Sequence, residues 1–386
     1  MNSKQKLTQR INSFFKTEAS GGIVTIFAAL IALIISNGSS ADWYQSFIAT
    51  PIMAGTLANW VQDVLMVFFF LLVGMELKRE MLAGFLSDKK QILLPLFSAI
   101  GGMIIPAAIF MLINHDNPGN WNGWAIASAT DIAFAICILT LAGKYIPPAL
   151  KIFLLAIAIF DDLGAIMIIA VFYSGKLAIA PLLGVLACAA ILFVLNKLRV
   201  MKIMPYIFIG IILWFSLHAS GIHTTIGGVM VGMAIPLRNP NNGAYSPLNR
   251  FMHILHPWVN FLILPIFAFT AAGVNIQTMS LSSLIAPLPL GIAFGLFIGK
   301  QIGIFASAWL LIKLGMAKLP ENTNFRQIYG VSIIAGIGFT MSLFIGNLAF
   351  TDQLMQEQVK LGVLAGTVLS AVFGWLALRQ SIVTKV

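Results

Sequence analysis

Charge is scarce in this sequence. Asp, Glu, Lys and Arg make up only 9% of its 386 residues, where a soluble protein carries about 25%. Hydrophobic residues make up 59%, and the mean hydropathy is +0.94. That composition excludes a soluble globular protein and points to a polytopic helical membrane protein. Acid is scarcer than base, with 13 Asp and Glu against 23 Lys and Arg and a net charge of +10. In a membrane protein such an excess reflects Lys and Arg retained on the cytoplasmic side, so no nucleic acid is expected as a partner. Cysteine is almost absent. Cys137 and Cys188 both sit in apolar runs and imply neither a disulfide nor a metal site. There is no alternation of apolar and polar residues, which rules out an outer-membrane barrel. The basic stretch Met1 to Lys16 lacks a cleavage pattern and reads as the flank of the first span.

Apolar runs fill the rest. The hydropathy pattern predicts twelve transmembrane helices, at about 20–36, 58–85, 92–113, 122–143, 148–173, 177–196, 203–218, 221–236, 249–273, 284–314, 326–350 and 357–380. The connections are short, and 1–386 reads as one integral-membrane transporter domain. With the N-terminus in the cytoplasm, 20 of the 23 basic residues fall inside; Lys176 and Lys360 fall outside, and Lys300 falls within a span. One missed or invented helix would scramble that bias. Twelve spans therefore place both termini in the cytoplasm.

The fifth span carries Phe160-Asp161-Asp162-Leu163-Gly164 in an apolar run from Ile152 to Phe172. An ionised Asp at a helix centre costs roughly 2.5–3.5 kcal/mol on insertion scales, so an intramembrane pair of carboxylates marks a functional site. Neighbouring helix residues point about 100° apart, so Asp161 and Asp162 face different neighbours.

Two other spans are weakened at mid-depth. The fourth contains Ala127-Ser128-Ala129-Thr130-Asp131, and the eleventh contains Gly336-Ile337-Gly338-Phe339-Thr340. Either alone suits ordinary close packing of small residues. Each, however, is the middle helix of a three-span group, 92–173 and 284–380. Three is odd, and with twelve alternating spans the first group starts inside and the second outside, so the groups have inverted topology. Interrupted segments at matching places in inverted repeats point to a transporter's binding site. Asp131 is then placed to compensate helix N-termini, and a cation must offset the C-termini. Lys300 in Gly299-Lys300-Gln301 is the deep basic residue available. It could equally pair with one of the two aspartates.

Titratable residues also gather near span ends. Glu76 and Glu80 share a helical face, with Lys78 and Arg79 between them; the reading is a titrating cluster at a funnel mouth or a solvated helix end. His253 and His256 open the ninth span, and His218 and His223 flank the outer turn between spans seven and eight. Histidine titrates near neutral pH, so Glu76, Arg79, Glu80, His223, His253 and His256 are candidates for pH sensing.

Together these features resemble the NhaA family of sodium/proton antiporters. The resemblance rests on the run Phe68 to Glu76, on Ala129-Thr130-Asp131-Ile132-Ala133-Phe134-Ala135, on the Asp161–Asp162 segment, on His256-Pro257-Trp258 and on Gly336 to Ser342. This family is itself one of the known instances of inverted repeats. The resemblance implies a bacterial inner-membrane protein exchanging cytoplasmic Na⁺ or Li⁺ for periplasmic H⁺, without a cofactor. It implies that Asp161 and Asp162 bind the ion, supported by Asp131, Thr130 and Lys300, and that Glu76, Arg79 and Glu80 take part in pH activation. There are two departures. Met252 stands where well-known members have a carboxylate. The first outer loop, Ser36 to Trp60, is shorter than the one whose β-hairpin joins two protomers, a homodimer being what the resemblance implies.

The residues themselves suggest a mechanism by competition. Carboxylates taken out of water hold protons to higher pH, and a small hard cation prefers oxygen ligands and displaces them. A sodium-coupled symporter of an organic solute would need a solute-sized polar or aromatic cavity. A membrane scaffold would not need three buried carboxylates and a lysine. A hydrolase would need a nucleophile with its base, or a metal set, and neither motif is present. The expectation is a secondary transporter, not an enzyme.

Overall fold

The computed structural model describes residues 19–52, 55–84, 89–143, 146–175, 178–237, 246–276, 283 and 285–383. Of the basic residues counted above, Lys4, Lys6, Arg10, Lys16, Lys144, Lys176, Arg238 and Lys385 lie outside them. The described chain is almost wholly helical. In order it runs α1 (Ser20–Ser36), α2 (Ala41–Ile48), β1 (Pro51–Ile52), β2 (Gly55–Thr56), α3 (Leu57–Ala83) and α4 (Lys89–Ile113). A 3₁₀ segment (Pro118–Ser128) precedes α5 (Ile132–Leu141), and then come α6 (Pro148–Phe172), α7 (Ile179–Lys197), α8 (Met204–Ser220) and α9 (Thr225–Ala234). The last are α10 (Pro247–Ala272), α11 (Pro287–Lys313), α12 (Phe325–Ile334), α13 (Phe339–Ala349) and α14 (Gln353–Val383).

Seven of these helices are long and apolar enough to cross a membrane, and ten spans result if each broken pair counts as one. The expected spans at 203–218 and 221–236 are the shorter apolar helices α8 and α9. The fourth and eleventh expected spans are broken, as the sequence suggested. The 3₁₀ segment and α5 are bent by 51°, and α12 and α13 by 44°. The first loop retains a minimal antiparallel ladder, Pro51 opposite Thr56 and Ile52 opposite Gly55.

The chain divides into two compact units. One comprises Met1–Ala41, Leu93–Asp161 and Ala271–Val386; the other comprises Asp42–Ile92 and Asp162–Thr270. In both, glycine lets backbones touch, the usual means of packing helices in lipid. In the first unit α4 crosses α11 where Gly101 and Gly303 face each other; a Cβ on either would strike the other's carbonyl. A Cβ on Gly299 would come within 2.6 Å of the Pro106 Cα. In the second unit α9 lies against α3, and a Cβ on Gly74 would meet the Val229 carbonyl oxygen at 2.7 Å. Lys78 secures that pair. Its Nζ donates to the carbonyls of Met233 (2.8 Å) and Ile235 (2.6 Å), and Asn196 Nδ2 donates to Ala234 (2.5 Å). These are the carbonyls that a helix C-terminus leaves without partners.

Candidate functional site

The site is built where the two broken segments of the first unit meet. Residues 129–131 separate the 3₁₀ segment from α5, and residues 335–338 separate α12 from α13. A break strips backbone groups of their helical partners, and inside a membrane those groups must be satisfied from elsewhere. Each segment supplies the other. Asp131 N donates to the Ile337 carbonyl at 2.7 Å. Asp131 Oδ1 accepts from Phe134 N at 3.0 Å, capping α5. Its Oδ2 accepts from Thr340 N at 3.1 Å and from the Thr340 hydroxyl. One carboxylate thus serves the first turns of α5 and α13, where helix dipoles favour negative charge. Ser342 Oγ returns a bond to the Ile126 carbonyl at 2.7 Å.

Gly336 and Gly338 are not here for left-handed backbone, since neither has a positive φ. They are here for room. A Cβ on Gly336 would collide with the Leu296 carbonyl and come within 2.5 Å of Ser370 Oγ. A Cβ on Gly338 would collide with Ser342 Oγ and approach the Leu296 side chain at 2.8 Å.

Asp161 faces this crossing from α6. Its Oδ2 accepts from Lys300 Nζ at 2.5 Å and from Thr130 Oγ1 at 2.7 Å. Both side chains of the ion pair are wholly buried. Asp161 Oδ1 is also buried and has no hydrogen-bond partner among the described residues. Thr130 Oγ1 lies 2.7 Å from the Ala335 carbonyl as well. A hydroxyl has one proton to donate, so Thr130 can serve the carboxylate or the carbonyl, not both. Lys300 follows a π-helical turn, Gly295–Gly299, inside α11; such turns gather at functional sites. Of the two roles open to Lys300, the structure shows the pairing with Asp161. Asp131, Asp161 and Asp162 are all at most 3% exposed. Thus Thr130, Asp131, Asp161, Lys300, Gly336, Gly338 and Thr340 come together in one unit, and Asp162 is the next residue of the same helix.

The pH-sensing candidates separate into two groups, both in the second unit. Near the C-terminal end of α3, His256 Nε2 is 3.8 Å from Glu76 Oε1, and Asn260 lies 3.0 Å from the other ring nitrogen. Arg79 pairs with its neighbour Glu80 at 2.9 Å. His253 is exposed and Met252 is buried. Thirteen residues back along α3, about 20 Å by helical rise, His223 Nε2 is 3.5 Å from Asp63 Oδ1 and its Nδ1 is 2.8 Å from Thr225 Oγ1. Asp63 sits in the π-helical turn Val61–Leu65, and its carbonyl accepts from Trp214 and from Thr224, each at 3.0 Å. His223 stood out in the sequence as a titratable group, and nothing local indicated that it meets Asp63. The sequence also grouped Lys78 with the glutamates, whereas Lys78 caps α9.

The family model described as Na+/H+ antiporter 1 matches residues 12–378. The Na(+)/H(+) antiporter NhaA 2 of Pseudomonas savastanoi pv. phaseolicola is 50% identical over 372 residues, covering 96% of this chain and 95% of that protein. The Na(+)/H(+) antiporter NhaA of Vibrio cholerae serotype O1 is 46% identical over 381 residues, covering 98% and 100%. Among solved structures, that of the sodium proton antiporter MjNhaP1 from Methanocaldococcus jannaschii matches with a TM-score of 0.54 at 16% identity, covering 97% of this chain and 98% of that one. At that identity the likeness is one of fold.

Proposed function

Since the chain belongs to the Na+/H+ antiporter 1 family, we propose that it exports cytoplasmic Na⁺ or Li⁺ in exchange for about two periplasmic protons, with activation at alkaline pH. The proposal includes a bacterial inner-membrane location, twelve crossings with both termini cytoplasmic, and inverted repeats over 92–173 and 284–380. The observation that carries it is the buried Asp161 carboxylate, which uses one oxygen for Lys300 and Thr130 and leaves the other without a bond among the described residues.

That oxygen, together with the Asp162 carboxylate, offers a hard cation the donor type it prefers. In the cycle, Na⁺ enters the site as protons leave, and the reverse exchange follows on the opposite side. If both aspartates load protons, two bound protons neutralise the site and one bound Na⁺ leaves a net negative charge. If Asp161 stays paired with Lys300, the lysine releases the second proton. Either route moves one net positive charge inward per cycle. The 2.5 Å contact between Lys300 and Asp161 favours the second.

The test is a pH-gradient dequenching assay in inverted vesicles, with Na⁺, Li⁺ or K⁺ added to the wild type and to Asp161→Asn and Asp162→Asn. The wild type should dissipate the gradient on Na⁺ and Li⁺ and ignore K⁺, and both variants should fall to background while still inserting. Wild-type exchange in both variants would overturn the site. Indifference of the wild type to Na⁺ and Li⁺ would overturn the function.

A further inference from the structure

A cavity of about 430 Å³ opens in the first unit between α11, the start of α12 and the end of α14, well away in sequence from the aspartates of α6. Its walls are Phe305, Phe325 and Ala377, with Arg326, Tyr329 and Ser381 at polar positions. The volume lies in the range of pockets that take small molecules, about 300–1,000 Å³. Phe305 stands edge-on to both Phe325 and Tyr329, with ring centroids 6.5 and 5.4 Å away. Tyr329 Oη donates to Gln301 Oε1 at 2.9 Å, and the Gln301 amide nitrogen behind it is buried with no partner among the described residues. Arg326 makes no ion pair among the described residues, although the molecule holds other basic groups in pairs and caps.

Arg326, without an ion pair among the described residues, thus lines the same cavity as three aromatic rings. Its fork of donors matches the two oxygens of a phosphate. The apolar walls match acyl chain, and exposed Tyr329 and Phe325 continue them outward. Basic pockets between membrane helices on the cytoplasmic side bind anionic lipid headgroups, and the proposed orientation places the start of α12 on that side. We propose that this cavity is a binding site for an anionic phospholipid of the cytoplasmic leaflet. Arg326 takes the phosphate, Tyr329 lies beside the glycerol, and Phe305, Phe325 and Ala377 hold the upper acyl chain. The site is separate from ion exchange and does not depend on it.

The experiment is native mass spectrometry of the delipidated full-length protein titrated with phosphatidylglycerol or phosphatidylethanolamine of identical acyl chains. The wild type should retain phosphatidylglycerol over phosphatidylethanolamine. Arg326→Gln should lower phosphatidylglycerol affinity about tenfold, as loss of a charge-assisted pair requires, and lower phosphatidylethanolamine affinity less, so that the preference narrows. Ala377→Trp, which fills the apolar wall and keeps the charge, should weaken retention of phosphatidylglycerol too. Equal retention of the two lipids by the wild type, or an unchanged affinity in Arg326→Gln, overturns the site. Displacement of the lipid by millimolar inorganic phosphate would assign the cavity to free phosphate and overturn it equally.

Discussion

At the residue scale the chemistry turns on how few protons there are to share. Lys300 and Thr130 converge on a single oxygen of Asp161, and Thr130 has a second acceptor at the same distance in the Ala335 carbonyl. When Asp161 is ionised the hydroxyl is drawn to the charge, since hydrogen bonds to charged groups contribute about 1.5–3 kcal/mol. When Asp161 carries a proton, it can donate to Thr130, which then turns its own proton to Ala335. Thr130→Val removes both options and should raise the apparent KM for Na⁺ by about tenfold or more, with Thr130→Ser restoring it; a wild-type KM in the valine variant would remove the hydroxyl from the site. Lys300→Gln tests charge transfer. If the lysine carries the second proton, exchange by that variant in proteoliposomes should stop or lose its response to an imposed membrane potential. A rate that still follows the potential would assign both protons to the aspartates. The candidate residues stood out in sequence because ionisable groups in apolar runs are costly to keep there. Their pairing did not, since Lys300 and Asp161 are 139 residues apart and a linear pattern does not say which face of a helix meets which neighbour.

At the scale of elements, stability rests on backbone contacts that tolerate no added methyl group. Gly303→Val would push α11 off α4 one turn from Lys300, and overpacking of this kind typically costs about 1–3 kcal/mol. The variant should melt well below the wild type in detergent and lose exchange, whereas Gly315→Ala tests strain alone. Gly315 has a φ of +73° and nothing within 4 Å of an added Cβ, so that change should cost about 1 kcal/mol and spare exchange. Lys78→Met should uncover the C-terminal carbonyls of α9 and lower the melting temperature without abolishing Na⁺ exchange; an unchanged melting curve would mean that water replaces the ammonium there. Span limits were visible beforehand because a bilayer demands length and apolarity of every helix, and the breaks at 129–131 and 335–338 because small and hydroxyl residues cluster there. The π-helical turns at Val61–Leu65, Val259–Ile263 and Gly295–Gly299 were not visible. They arise from how helices seat on one another, as Gly299 does on Pro106, and leave no periodic trace.

For the whole molecule the proposed cycle predicts how exchange should depend on pH. Protons and Na⁺ compete for the same carboxylates in the proposed cycle, so the sign is set: raising cytoplasmic pH removes the competitor and lowers the apparent KM for Na⁺. The fall should approach about tenfold per pH unit for each proton displaced. In the proposed cycle Glu76 with His256, and Asp63 with His223, would tune the response. Exchange measured from pH 6 to 9 in Glu76→Gln and His223→Ala should show a displaced midpoint and a preserved steepness. Loss of the pH response with unchanged Na⁺ affinity would make one of these pairs the sensor. The orientation inferred from basic residues is checked separately, by a C-terminal reporter that should report a cytoplasmic end.

The mutual satisfaction of the two broken segments also bears on biogenesis. Asp131 and Thr130 find their partners at residues 335, 337 and 340, more than two hundred positions later in the chain. While the ribosome is still making the intervening residues, the segment from Pro118 to Leu141 can make its own α5 cap but lacks the partners of the Asp131 amide, of Asp131 Oδ2 and of the Ile126 carbonyl. It cannot settle in lipid as an ordinary span does. The emerging chain must therefore be held at the insertion machinery, or parked near the surface, until its counterpart arrives. Nascent chains arrested before residue 320 should leave a cysteine introduced near Asp131 open to a water-soluble thiol reagent, and chains arrested beyond the start of α14 should protect it. Protection at the earlier arrest would mean that the segment buries itself alone.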